Sequence, residues 1–157
     1  MHEDIEKWIM EFLSVPNPAF NGLPPCPYAK QVWLNDRVKV IDIGSNVDLY
    51  ITTMIQDCMQ NWPENTDVVM LVTDPELFSC KQLDEMCITA SNEDYVLLWD
   101  HPNDKEEVDG EDLNQGKYAL TFIQPRRELE AARKTLEEQG YYKNFKKDYK
   151  TKLKESK

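Results

Sequence analysis

Cys26 is the residue of this chain best placed for chemistry. It lies in "GLPPCPYAKQVW" (22–33), crowded by Pro24, Pro25 and Pro27 and followed at once by a helix-like run. A cysteine at a helix start meets free backbone N–H groups and the positive end of the dipole. Both favour thiolate and lower the pKa from its usual value of about 8.5. Lys30, one turn on, adds a cation and is a candidate ligand-binding residue. Such a thiolate serves as a nucleophile, a redox group or a metal ligand. The plainer reading is a small apolar residue in a stiff corner, and the sequence leaves both open.

His101 is one of two histidines and stands in "WDHPND" (99–104), at the end of an expected strand. Ligands gather at strand C-termini in parallel-type sheets. With Asp100 beside it, His101 is the candidate catalytic partner of Cys26, as base or orienting group of a thiolate–imidazole site. Its alternative is a loop histidine that faces solvent or caps a turn. Arg126, first of an Arg126-Arg127 pair, is a candidate anion anchor because arginine grips carboxylate or phosphate with two N–H groups. In so acidic a chain, pairing with Glu128 or Glu130 is its plainer use.

No other signature of chemistry is present. Gly-rich phosphate loops, Cys-x-x-Cys, His-x-x-x-His and serine-elbow patterns are all missing. Residues 104–112 carry six carboxylates, yet the sixth loop position, counted from Asp104, is Asp109 where a calcium-binding EF-hand loop requires glycine. No cofactor and no metal is therefore expected. Cys58, Cys80 and Cys87 read as packed free thiols, since the acidic N-terminus "MHEDIEKW" lacks the form of a secretory signal and thiols of the cytoplasm stay reduced. A cytoplasmic protein is the expectation.

The charge is unevenly spread. The net value is −11, but from Lys143 onward seven lysines face only Asp148 and Glu155, which leaves −16 on the residues before. A body so acidic repels nucleic acid, whose binding rests on cations that neutralise phosphates. No apolar run approaches the ~18 residues of a membrane span.

These residues need elements to position them. Ile5, Trp8, Ile9, Phe12 and Leu13 form a helical stripe, ended by Val15-Pro16. Residues 15–25 are irregular and stiffened by proline, with Phe20 and Leu23 as pins to the core. A short helix is expected over 27–35, a strand at 38–43, and a helix over 47–60 opened by Ser45-Asn46. A fully buried strand follows at 67–74. Asp74-Pro75-Glu76 opens a helix that runs to about Ala90. Strands at 94–102 and 118–125 flank a polar acidic loop, and a final helix covers Arg126 to Gln139, with Gly140 after it. The fold class is α/β, a four-stranded mixed sheet with helices on both faces. Its order β-α-β-α-β-β-α also permits a thioredoxin-like topology. One domain is expected over 1–142, followed by a basic tail at 143–157.

Cys-Pro-Tyr also opens the redox loop of glutaredoxins, but here Ala29 replaces the second cysteine and "VPNPAFNGLPP" (15–25) is no entering strand. A dithiol oxidoreductase is not expected. "CPYAK", "VTDPELF", "LLWDHP" and "LTFIQPRRELEAA", in that order, resemble a poorly characterised family of small bacterial proteins with a Cys-Pro-Phe/Tyr-Ala signature. Asp74 stands where that family has a histidine. The resemblance implies a site at Cys26 and supplies no reaction. Two functions emerge: a small acidic interaction or regulatory module that holds a protein partner, through segment 15–25 or the acidic loop, and a thiol-dependent activity centred on Cys26. Oligomeric state is not fixed by these residues.

Overall fold

A computed structural model describes residues 1–45, 48–105, 107–112 and 116–145, with 48–50 and 111 described in their backbone alone. Four strands form the main sheet: β1 (Val38–Gly44), β2 (Val68–Thr73), β3 (Tyr95–Asp100) and β6 (Ala119–Pro125). Their spatial order is β1-β2-β6-β3. β1 and β2 are parallel, while β6 runs antiparallel to both β2 and β3. The expected mixed sheet is what the chain forms. A thioredoxin-like order would place its redox site at 44–47, which holds no cysteine; Gly44 ends an edge strand with one neighbour, and 46–47 lie outside the described residues. That comparison stays at the level of element order.

β2 is apolar from Val68 to Val72, as suits a strand buried on both faces, and its buried Thr73 donates to the Ala119 carbonyl. Val69 and Leu71 point to one side, where they meet Ile51, Ile55 and Cys58 of α3 (Asp48–Gln60) and Cys87 of α4 (Cys80–Ala90). Met70 and Val72 point to the other side. There Ile5 of α1 (His2–Trp8) and Ile9 of the wider π-type turn that continues it (Ile9–Leu13) close the core. The N-terminal stripe thus covers the sheet face opposite α3 and α4.

α4 begins later than the sequence suggests. Asp74 accepts from the Glu76 N–H, but this closes a turn, and the helix starts only at Cys80. Ser79 and Gln82 form a reciprocal capping box, with Ser79 Oγ accepting from the Gln82 N–H and Gln82 Oε1 from the Ser79 N–H. Two satisfied donors outweigh the single turn at Asp74.

The acidic loop holds structure that its polarity conceals. β4 (Glu107–Val108) and β5 (Glu111–Asp112) form a hairpin turned by Asp109-Gly110, both at positive φ. That is the geometry of a type I′ turn, for which Asp-Gly is a preferred pair.

A satellite core joins the segment before α2 to the residues that follow α5. Ala19 and Phe20, on a short 3-10 turn (Pro18–Phe20), pack with Val108, Leu136 of α5 (Arg126–Glu138), Tyr141 and Phe145. Asn144 Nδ2 donates to the carbonyls of Pro18 and Ala19. Residues 143–145 of the expected tail therefore pack with the body, and residues 146–157 lie outside the description. Among the described residues no helix is long and apolar enough to cross a membrane.

Candidate functional site

Cys26 sits where the proline segment turns into α2 (Ala29–Leu34). Its N–H donates to the Leu13 carbonyl at 2.8 Å, and its own carbonyl accepts from the Ala29 N–H. The N–H groups of Tyr28 and Ala29 point to the sulfur, as expected of a helix start, and favour thiolate. Burial acts the other way and is larger, so the thiol pKa is raised. Lys30 is exposed and is not among the groups that act on the thiol. The cover comes from the far end of the chain. The Tyr141 hydroxyl donates to the Pro25 carbonyl, and Tyr142 faces the sulfur closely enough for the two ionisations to oppose each other. The lowered pKa expected from the helix start is reversed by burial.

His101 is 1% exposed. Its Nδ1 accepts from the Asn103 N–H at 3.0 Å, so the proton belongs on Nε2, which donates to the Pro75 carbonyl at 2.9 Å. Both nitrogens are engaged by main-chain groups, which leaves neither for a Cys26 thiolate. His101 caps its turn, one of its two plainer roles, and ties the end of β3 to the loop after β2. Beside it, Asp100 has one carboxylate oxygen buried without a partner, and its pKa is pushed up to about 6, chiefly by burial. Asp104 and Asp112 add like charge. Cys80, at the start of α4, feels both Asp104 and Asp100 and is raised as well. Among the described residues no three of these groups are arranged to hold a metal ion.

Arg126 serves the fold. Its N–H donates to the Asp94 carbonyl, Nε to the Asn92 carbonyl at 2.9 Å, and Nη1 lies 3.8 Å from Glu130. These contacts dock the start of α5 on the turn before β3. The four sequence candidates therefore occupy separate settings, with Cys26 half-buried in its corner, His101 and Arg126 in main-chain bonds, and Lys30 on the surface.

What sequence reading missed is a groove of about 570 Å³ between α3 and α4. Met59, Phe78, Met86 and Ala90 supply its part-exposed apolar surface over the buried Ile51 and Ile55, with Thr52, Gln56, Gln82, Glu85 and Thr89 as polar lining. The signal lay in the spacing. α3 lines the groove at 51, 55 and 59, and α4 at 82, 86 and 90, one ridge from each helix. Read singly, each helix has only an ordinary apolar face; that the two faces leave space between them follows from where the sheet holds the helices.

Comparison with known proteins gives no matching family model, no matching curated protein and no matching solved structure.

Proposed function

We propose that this protein is a small acidic interaction module that holds a protein partner and catalyses nothing. The observation that carries the reading is the groove between α3 and α4, along which Met59, Phe78, Met86 and Ala90 stay part-exposed. Exposed apolar concavities rimmed by polar residues mark contact sites. The contact surface is placed there and not at segment 15–25, whose Ala19 and Phe20 are each 2% exposed and committed to the satellite core. A cytoplasmic setting and indifference to nucleic acid belong to the same proposal, on the strength of the free thiols and the acidic charge. Kinship with the Cys-Pro-Phe/Tyr-Ala family stands as a proposal beside it, carried by the four short matches in order, of which that at 26–29 is the most specific.

Immobilised full-length protein, exposed to lysate of its native host, is expected to retain one partner at near-stoichiometric yield. Retention of none defeats the reading. The second reading, thiol chemistry at Cys26, keeps one favourable observation: two main-chain N–H groups aimed at the sulfur.

A further inference from the structure

The main sheet has two outer edges, β1 and β3, and the chain treats them differently. At β3 the Asp94 carbonyl accepts from the Arg126 N–H on the β6 side, so by alternation Tyr95, Leu97 and Trp99 turn their main-chain groups outward. The turn before β3 closes the first part of that edge. Asn92 Oδ1 accepts from the Tyr95 N–H at 2.8 Å, Ser91 Oγ accepts from the Leu97 N–H at 2.9 Å, and the Asn92 N–H donates to the Tyr95 carbonyl. At β1 the Arg37 carbonyl accepts from the Asp67 and Val68 N–H groups, on the β2 side. Val38, Val40 and Asp42 therefore turn their N–H and carbonyl groups outward, and no main-chain bond from a described residue meets them there. Val38, Val40 and Ile41 are half-buried, so a strand added at this edge would continue the apolar surface on both faces of the sheet.

We infer that β1 pairs antiparallel with β1 of a second copy of this chain, across a two-fold axis at Val40, and joins the two sheets into one. A row of outward donors and acceptors is satisfied by another strand and not by a compact ligand. In a symmetric antiparallel pair the numbers of facing residues have a fixed sum, and few centres survive. Lys39 or Asp42 at the axis would set like charges opposite each other, which destabilises the pair. Val38 at the axis leaves Asp42 outside the pairing, and Ile41 runs it through the irregularity between Asp42 and Gly44. Val40 at the axis pairs the regular span 38–42 wholly with itself, with Val38 opposite Asp42 and Lys39 opposite Ile41. The outward groups at 38, 40 and 42 then face their own counterparts, and no like charges meet. Exposed Lys39 and Asp42, of the kind that ordinarily guards an edge, here fix the register. That symmetric fit is what selects a second copy over a foreign strand. Pairing at β1 uses no residue that lines the groove between α3 and α4, so it stands or falls apart from the interaction-module reading.

Sedimentation equilibrium of full-length protein from about 5 µM to about 1 mM tests it, at about 0.15 M salt, where repulsion between bodies of net charge −11 is largely screened. A monomer–dimer equilibrium that strengthens with added salt is expected. The Val40 N–H points away from β2, so Val40→Pro keeps the sheet's own bonds and removes one donor on each side of the axis. It should weaken the dimer at least about tenfold and leave the urea midpoint nearly unchanged. Hydrogen exchange on the unaltered protein decides the matter even if that variant misfolds. The amides of Val38, Val40 and Asp42 should exchange at least about tenfold more slowly in concentrated than in dilute solution, while the outward amide of Trp99 stays the same. A monomer at every concentration overturns the inference. So does a dimer that folded Val40→Pro leaves intact, or one in which those three amides exchange as fast as in the monomer.

Discussion

At the scale of single residues, chemistry that is plausible from neighbours in the chain is decided by neighbours in space. Cys26 has the helix start and prolines its sequence promises, and the burial that reverses their effect arrives with a cover 116 residues away, where Tyr141 closes on Pro25. No local pattern contains that contact, so the thiol's position was legible and its protonation was not. Alkylation of native protein should therefore be slow at neutral pH, become fast on unfolding, and titrate above about 8.5 against a Cys26→Ser control. Fast labelling with a midpoint below that value would restore the thiol reading.

Asp100 adds a pH dependence of its own. Its folded pKa of about 6 lies above its ordinary 3.8, so between those values the folded state binds more protons than the unfolded one. Stability from this group falls as pH rises through that window, and the deficit persists above it. Asp100→Asn, which keeps an acceptor for the His101 N–H, should raise stability at pH 7 by on the order of 2 kcal/mol and flatten the curve between those limits. Urea midpoints across the range check this; an unchanged slope would place the pH dependence elsewhere.

At the scale of elements, the strands were readable because they are long and apolar or bounded by proline, and β2 matches its expected span to within one residue at each end. The start of α4 was not, since Asp74-Pro75 and Ser79-x-x-Gln82 both have the form of an opening, and the reciprocal bonds of Ser79 and Gln82 prevail. Ser79→Ala should cost about 1 kcal/mol by denaturant titration. Asp74→Ala, which touches only the turn, should cost less. A larger loss from Asp74→Ala would return the helix start to residue 75. The Asp109-Gly110 turn shows the opposite failure: its signature was in the sequence, hidden in a stretch that composition marked only as acidic loop.

At the scale of the whole molecule, the chain closes on itself. The irregular segment before α2 and the residues after α5 have no partner within their own neighbourhood, and each becomes ordered by packing on the other around Phe20, Tyr141 and Phe145. Phe145→Ala should therefore lower stability by about 3 kcal/mol and also speed Cys26 alkylation, because the same cluster supports the cover. A loss of stability without that change in labelling would separate the cover from the cluster. While these two segments pack on each other, the groove between α3 and α4 keeps Met59, Phe78, Met86 and Ala90 part-exposed, and the partner contact is assigned to it. The most direct measurement compares capture of the host partner by the unaltered protein and by Thr89→Arg, which sets a long side chain across the groove from an exposed position. Loss of the partner from Thr89→Arg, with an unchanged urea midpoint, is the predicted result. A partner held at full yield by that variant would contradict it.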